Sequence, residues 1–352
     1  MNSIWYNIWN FLKGFNIDKF EHGGDIYSFA KANGVLESEV IDFSSNINFI
    51  SQNIEIDTEK YSKYPDFRYL DFKQKLSNRY RIKPKNIELF NGGSSAIFSI
   101  FRNLKFKKVN LLAPIYLEYK KASLLFNKEI VLVNRFKDLD FKAFDSDSLI
   151  ILVNPSTPDG KIYREDFILK LLESKAKVLV DESFLDFSDS KSMFEYIDLY
   201  KNLYILKSLT KFYSLAGARV GFIASDSKNI KNLNSFEPSW AVSSLDLAYF
   251  SKILNDEEFI NLSKKANFKN RKLLFKILND SNLFSKVYKS KGNFLLAKLK
   301  KSNAKKLQNR LAKHNILIRD CSNFDFLDER FVRFAVKSKS DLYYLKDALE
   351  NL

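Results

Sequence analysis

Seven short apolar runs between residues 87 and 224 constrain the fold of this chain more than any other feature. They occupy residues 87–90, 109–113, 129–133, 149–153, 177–180, 203–206 and 220–224. Most are separated by intervals long enough for a crossover helix. Short, continuously apolar runs are typical of strands buried on both faces of a parallel sheet. The sequence therefore predicts an α/β domain, in which a seven-stranded, mostly parallel sheet is sandwiched by helices.

The pattern changes after about residue 255, which indicates a second domain. A long amphipathic helix is predicted near 258–278, and strands follow near 294–299, 316–319 and 331–336. We therefore expect residues 61–255 to form a large domain, and 21–60 together with 256–352 to form a smaller α+β domain. Residues 1–20 are predicted to be a helical N-terminal extension, because apolar side chains recur there at helical spacing.

Composition narrows the possible partners. The net charge is +15, but the lysines alternate with Asp and Glu along the chain, which favours a solvated basic surface over a nucleic-acid site. A small anionic substrate is equally compatible with that charge. One cysteine and two histidines make a metal centre improbable and are compatible with a reducing cytoplasm. No apolar run approaches the roughly 20 residues that span a bilayer, so we expect neither a membrane nor a nucleic-acid partner.

A lysine lies between the last two apolar runs, at the centre of the stretch 208–221. Hydroxyl side chains precede Lys211 by three residues (Ser208) and one residue (Thr210), and Arg219 follows it by eight. A lysine amine can form a Schiff base with an aldehyde cofactor, while a hydroxyl and a guanidinium can hold that cofactor's phosphate. A surface turn is the alternative interpretation of this stretch alone.

Ligands of open α/β sheets bind at the carboxyl ends of the strands. Several other predicted strands end in groups that could bind the same phosphate-bearing cofactor. The run 87–90 is followed by Asn-Gly-Gly-Ser-Ser opening a helix, which predicts a backbone anion site. Tyr116 follows the next run, a polar turn at 154–160 follows 149–153, and Asp181 follows 177–180. A buried aspartate is costly unless it is paired, and a protonated pyridine nitrogen would be a suitable partner.

Together these residues resemble the fold-type I pyridoxal-phosphate enzymes of the class I/II aminotransferase superfamily. Within it, the chain is most similar to the branch that contains L-threonine-O-3-phosphate decarboxylase and histidinol-phosphate aminotransferase. The resemblance covers roughly residues 21–350. The segments that favour the decarboxylase side are HGGDIY (22–27), DFSSNIN (42–48), DESFLDF (181–187), PSWAVS (238–243), LIRDCSNF (317–324) and FVRFAV (331–336).

The resemblance implies roles for individual residues. Lys211 would bind pyridoxal 5'-phosphate covalently and later move the proton at Cα. The residues that would contact the cofactor are Gly92, Gly93, Ser94, Tyr116, Asp181, Ser208 and Arg219. Arg333 would bind the substrate carboxylate. The far end of the substrate, a phosphate in this branch, would be received by His22, Asn46 and Arg319.

Two positions depart from the family pattern. Thr157 stands where the family usually has an asparagine that contacts the ring hydroxyl, and Asn154 is a weaker substitute for that contact. Phe184 stands where many aminotransferases have a tyrosine near the ring, and phenylalanine is usual on the decarboxylase side. Enzymes of this fold usually form homodimers, so Tyr61 or Tyr64 is expected to reach the neighbouring subunit's cofactor phosphate.

These features predict a decarboxylase that converts an O-phospho-L-amino acid, phosphothreonine or phosphoserine, to an amino-alcohol phosphate. The alternative is transamination of histidinol phosphate or a similar amino phosphate, because the two reactions differ in which Cα bond stands perpendicular to the cofactor ring. The two phospho-amino acids differ by one methyl group, which is worth only about 1–3 kcal/mol of discrimination. A binding protein that has retained the fold without catalysis is a third possibility, and it would be supported by the loss of Lys211 or Asp181.

Overall fold

The fold is described from a computed structural model, which covers residues 22–56, 59, 62–137 and 144–352. All seven predicted runs are strands of one sheet. Their bounds are β2 (Ile87–Asn91), β3 (Lys108–Ala113), β4 (Glu129–Asn134), β5 (Ser148–Val153), β6 (Lys177–Asp181), β7 (Leu203–Ser208) and β8 (Val220–Ser225). Their order across the sheet is β2-β8-β7-β6-β5-β3-β4. The predicted α/β fold class is confirmed.

One strand runs against the others. Strand β8 is antiparallel to both of its neighbours, β2 and β7, while every other pair in the sheet is parallel. Because β7 and β8 are antiparallel, the chain between them turns back at the carboxyl end of β7. Lys211 lies in that turn, so the sheet topology itself brings the lysine to the edge where β2, β3, β5 and β6 end.

Helices cover both faces of this sheet. They are α2 (Leu70–Tyr80), α3 (Gly92–Asn103), α4 (Leu117–Leu125), α5 (Glu165–Glu173), α6 (Ser227–Asn234) and α7 (Ser244–Ile253). Alternate residues of β5 belong to two separate apolar cores: Leu149 and Ile151 pack with α3, α4 and α6, whereas Ile150 and Leu152 pack with α2, α5 and α7. Burial on both faces explains why the runs are continuously apolar.

The remaining residues form smaller sheets beside the large one. Strands β9 (Phe284–Val287), β10 (Phe294–Leu299), β12 (Arg319–Asp320) and β13 (Phe331–Ala335) form a four-stranded antiparallel sheet, and β1 (Ile41–Asp42) pairs in parallel with β11 (Ile316–Leu317). The accompanying helices are α1 (Ile26–Asn33), α8 (Glu257–Asp280), α9 (Ala304–Ala312) and α10 (Lys339–Glu350). This matches the α+β pattern expected after residue 255, and the domain division itself stays a prediction.

Two expectations differ from the structure or fall beyond it. The single strand predicted at 316–319 is divided at Ile318, and its halves pair in different sheets. The predicted N-terminal helix at 1–20 lies outside the described residues. None of the helices within the described ranges has both the length and the apolar character that crossing a membrane requires.

Candidate active site

A cavity of about 200 Å³ lies at the carboxyl ends of the sheet strands, between the large sheet and the C-terminal residues. Most of the predicted site residues meet there, although they come from distant parts of the chain. Those that line it are His22, Asn46, Gly93, Ser94, Tyr116, Thr157, Asp181, Phe184, Ser208, Lys211, Arg219, Arg319 and Arg333. The cavity is therefore the candidate active site.

Lys211 is held in the cavity by a polar segment from the N-terminal side of the chain. The Asn48 backbone N–H donates to the Lys211 carbonyl at 3.0 Å, and the Asn48 amide donates to the next carbonyl, that of Phe212, at 2.8 Å. The Ser214 hydroxyl donates to the Asn48 carbonyl at 2.8 Å. Three hydrogen bonds thus hold the chain at the lysine carbonyl and just after it, which limits where the Lys211 amine can move.

The Lys211 amine titrates far below an ordinary lysine. Burial, together with the positive charges of Arg219 and Arg333, lowers its pKa to about 8. Asp181 acts in the opposite direction. Each unit of pKa is a factor of ten, so at pH 7 the neutral fraction of Lys211 is roughly three hundred times that of an ordinary lysine. A neutral amine is the form that can attack an aldehyde.

This pKa predicts how capture of an aldehyde depends on pH. Because the neutral amine reacts, the rate at which cofactor-free protein combines covalently with pyridoxal phosphate should rise about tenfold per pH unit below pH 8 and level off above it. Stopped-flow absorbance would measure the rate. A rise that continues to pH 10 would instead indicate an ordinary, solvated lysine at the reactive position.

An anion cradle lies at the N-terminus of α3. Gly92 begins the helix with a φ of 76°, and a Cβ at this residue would lie 2.5 Å from Nη2 of Arg219. A Cβ at Gly93 would lie 3.3 Å from Cβ of Ser208. The absence of side chains at both glycines lets a guanidinium, a hydroxyl and the first helical N–H groups converge. Such a combination suits a phosphate.

Asp181 ends β6 and faces the same cavity while being almost fully buried. Its Oδ1 accepts hydrogen bonds from the Ser183 N–H at 2.9 Å and the Ser183 hydroxyl at 2.5 Å, and its Oδ2 accepts from the Tyr119 hydroxyl at 2.7 Å. Burial nevertheless raises the pKa of the carboxyl above its usual value. A cationic partner in the cavity would favour the ionised form.

Two arginines lie opposite each other at the other side of the cavity. Arg319 on β12 is the direct cross-strand partner of Arg333 on β13, and both are buried. Arg333 donates to the Thr157 hydroxyl at 3.1 Å and to the Ser44 carbonyl at 2.9 Å, while its buried Nε has no hydrogen-bond partner within the part of the chain that the structure describes. Burial, with a smaller effect from the charge of Arg319, lowers the pKa of Arg333 to about 10. Like charges in this arrangement are unfavourable unless an anion binds between them.

Comparison with known proteins agrees with this geometry. The model of the family described as "Aminotransferase class I and II" matches residues 37–352. The chain belongs to this family. It is 31% identical to a protein of Caldanaerobacter subterraneus subsp. tengcongensis provisionally named threonine-phosphate decarboxylase, over 97% of this chain and 96% of that protein.

Two other relatives illustrate the range of this family. The adenosylcobalamin biosynthesis bifunctional protein CobDQ of Leptospira interrogans is 29% identical, and the match covers 94% of this chain but only 41% of that longer protein. The crystal structure of the histidinol-phosphate aminotransferase from Clostridium acetobutylicum superimposes with a TM-score of 0.80 at 28% identity, covering 88% of this chain and 98% of that one.

A member of the class I and II aminotransferase family is a pyridoxal-phosphate-dependent enzyme, and the cavity fits that cofactor. The cradle around Gly92 and Gly93 leaves room for a phosphate that a Cβ would fill. The Lys211 amine has the low pKa that Schiff-base formation needs, and the Asp181 carboxylate lies on the wall of the same cavity. The residues present are therefore those that would hold pyridoxal 5'-phosphate.

The structure does not bring every predicted cofactor residue of this aminotransferase-family chain to the cavity. Asn154 is buried, but its side-chain amide donates to the Tyr163 carbonyl and accepts from the Tyr163 N–H, at 3.2 and 2.8 Å. Asn154 is not among the residues that line the cavity, and its contact with the cofactor stays a prediction. Tyr64 is 79% exposed and stacks on Trp240, so any contact with a cofactor would have to be made in another subunit. Tyr61 lies outside the described residues.

Several residues of the site were not singled out from the sequence. Tyr119 donates a hydrogen bond to Asp181, and Asn48 donates to the backbone carbonyl of Lys211. Glu118 accepts a 2.8 Å hydrogen bond from His22, whose ring lies 5.1 Å from that of Tyr116. The one available signal was spacing, since Tyr119 lies three residues after Tyr116 and therefore near it on a helix.

Proposed function

We propose that this enzyme decarboxylates an O-phospho-L-amino acid, phosphothreonine or phosphoserine, and releases an amino-alcohol phosphate. The observation that carries the proposal is the cross-strand pair of buried arginines, Arg319 and Arg333. Two guanidinium groups facing one small cavity favour a substrate with two anionic groups, and a phospho-amino acid has both a carboxylate and a phosphate. Histidinol phosphate carries the phosphate alone, so in transamination the second arginine would serve only the carboxylate of the amino-group acceptor. The name of the Caldanaerobacter relative also supports the proposal.

In this proposal the two arginines bind opposite ends of the substrate. Arg333 would bind the α-carboxylate, since its unpartnered Nε and the neighbouring Thr157 lie near the cofactor residues. Arg319, with His22 and Asn46, would bind the phosphate at the opposite end of the substrate. Asn46 lines the same cavity, and its side-chain NH2 group could donate to a phosphate oxygen.

The cofactor residues follow the family pattern. Gly92, Gly93, Ser94, Ser208 and Arg219 would hold the phosphate of pyridoxal phosphate, and Asp181 would pair with its pyridine nitrogen. Tyr116 and Phe184 would contact the ring. The Thr157 hydroxyl, which already accepts from Arg333, keeps its own proton to donate to the ring oxygen.

The protein's part in the reaction is to choose the bond that breaks and to move one proton. When bound, pyridoxal phosphate accepts into its ring the electron pair of the bond broken at Cα. Arg333 and the phosphate-binding residues would hold the substrate by its two anionic ends and orient the Cα–carboxylate bond for cleavage, so that CO2 leaves. The Lys211 ammonium would then deliver a proton to Cα. If the same residues presented the Cα–H bond for cleavage instead, the Lys211 amine would remove that proton and transamination would follow.

Carboxyl-labelled phosphothreonine and phosphoserine would test the reaction. Purified holoenzyme should release labelled CO2 in equal amount with the amino-alcohol phosphate and form no 2-oxo acid. Arg319→Gln should raise KM for the phospho-amino acid at least roughly 30-fold, because truncating one partner of a buried charge pair costs about 2–5 kcal/mol. Arg330→Gln, which removes an exposed arginine paired with Asp328, is the matched control and should leave KM unchanged.

Formation of a 2-oxo product from histidinol phosphate with an amino-group acceptor, without CO2 release from either phospho-amino acid, would favour the aminotransferase alternative. The same result would contradict the assignment of Arg333 to an α-carboxylate that is lost in the reaction.

The enzyme is also inferred to act as a homodimer in the cytoplasm. Tyr64, Phe67 and Trp240 form an exposed aromatic cluster, with 4.5 Å between the ring centroids of Tyr64 and Trp240. Exposed apolar patches of this kind mark protein interfaces. A second copy of the chain packed here would bring Tyr64 near another subunit, as the family resemblance implies. The single cysteine, Cys321, is buried and compatible with a reducing compartment.

A further inference from the structure

A buried ion pair lies behind the cavity. Arg135 directly follows β4, and Asp159 belongs to the turn after β5; their side chains are 0% and 5% exposed. The two groups are joined by two hydrogen bonds, from Nη1 to Oδ2 at 2.9 Å and from Nη2 to Oδ1 at 2.7 Å. A buried ion pair rarely adds stability relative to apolar residues of the same size, so its presence here calls for another explanation.

The remaining donors of Arg135 contact the two loops that carry cofactor residues. Nε donates to the Pro114 carbonyl at 2.9 Å, two residues before Tyr116. Nη2 also donates to the Thr157 carbonyl at 3.3 Å. Arg135 is the first residue after an edge strand, and through these bonds it joins the loop after β3 to the turn after β5. A planar guanidinium can donate to both carbonyls and to the Asp159 carboxylate at the same time, because its N–H groups point in fixed, different directions. A lysine ammonium lacks this arrangement of donors.

Asp159 completes the connection from the other side. Its Oδ1 also accepts from the Ser156 hydroxyl at 2.7 Å, which closes the turn around Thr157. The Thr157 hydroxyl in turn accepts from Arg333 at 3.1 Å. Hydrogen bonds thus connect the ion pair to Thr157 and, through it, to Arg333. These two residues are the ones proposed to contact the cofactor ring and the substrate carboxylate.

We propose that Arg135 and Asp159 are positioning residues, which hold Tyr116 and Thr157 at the mutual distance that binding of the cofactor ring requires. The inference rests on the assignment of those two residues to the cofactor, and it holds for either reaction. No residue of β4 lines the cavity among the described residues. In this proposal β4 affects the site through Arg135, which positions Tyr116 and Thr157.

The test removes both charges together, as Arg135→Met with Asp159→Leu, so that no unpaired buried charge remains. Affinity for pyridoxal phosphate is measured by fluorescence titration of the cofactor-free protein, without substrate. The dissociation constant should rise at least about tenfold, and kcat should fall on the order of 10²-fold, because small displacements of positioned groups have effects of that size. Thermal unfolding of the cofactor-free protein reports the structural contribution separately.

The matched control is Lys73→Met with Glu88→Leu. It removes another largely buried ion pair, with 3.0 Å between Nζ and Oε2, that joins α2 to β2. This control should leave both the dissociation constant and kcat unchanged. If the Arg135–Asp159 double variant behaves like the control, the pair is only structural and the proposal fails.

Arg135→Lys keeps the charge and serves if the double variant does not fold. It should weaken cofactor binding while the cofactor-free protein unfolds near the wild-type temperature, and wild-type affinity would overturn the proposal. Because cofactor binding is measured without substrate, failure of phospho-amino acid decarboxylation would leave this result unaffected.

Discussion

Lys211→Ala should abolish covalent capture of pyridoxal phosphate and reduce turnover by roughly 10²–10⁴-fold through loss of proton transfer alone. The reduction should be larger in practice, because the same amine binds the cofactor before it moves the proton at Cα. The residue is the lysine whose pKa falls to about 8 inside the cavity. Borohydride reduction followed by absorbance would measure capture, and steady-state kinetics would measure turnover.

Lys161→Ala is a suitable control for the lysine substitution. Lys161 is exposed, follows the turn at 154–160, and places its ammonium over the Tyr163 ring rather than in the cavity. It should retain wild-type capture and turnover. A Lys211→Ala protein that still forms the borohydride-stable adduct would show that another lysine holds the cofactor.

Asp181→Asn should lower kcat about 10²–10³-fold while leaving the protein folded, because a fixed charge that stabilises the reacting group is lost. Burial raises the pKa of the Asp181 carboxyl, so the ionised group costs more free energy in the folded, cofactor-free protein than in the unfolded chain. The amide removes that cost. The cofactor-free variant should therefore unfold at the wild-type temperature or above it at pH 7.

The control for this substitution is Asp226→Asn. Asp226 is also buried and also follows a strand, β8, but it caps α6 and pairs with Lys201 away from the cavity. It should change stability without changing kcat. An Asp181→Asn enzyme with wild-type kcat would contradict the assignment of Asp181 to the cofactor ring.

The central sheet could be predicted because its strands are buried on both faces, and each of the seven runs became a strand. The direction of β8 could not be predicted, because a buried apolar run has the same pattern in a parallel and in an antiparallel strand. Strand β9 was missed because Ser285 and Lys286 interrupt its two apolar ends. The division at Ile318 was also hidden, because it depends on which distant strand each half pairs with.

The candidate site was predictable where a residue ends a strand, because topology gathers those ends at one edge. Asp181 is the last residue of β6, and Tyr116 and Lys211 each lie three residues beyond the end of a strand. Residues that act through others carried no such signal: Tyr119 and Asn48 gain their partners only when distant segments meet. Arg135 did follow a predicted strand, but its pairing with Asp159 depends on the conformation of the turn after β5 and could not be predicted from the sequence.

The most direct test of this account is to reduce the native holoenzyme with borohydride, digest it and locate the modified lysine by mass spectrometry. We expect a pyridoxyl group on Lys211 alone. Lys207, four residues earlier, is the informative alternative because it is also buried, but its amine is paired with Asp186 at 2.8 Å. Modification of Lys207 or of any other lysine, or no modification at all, would contradict the account.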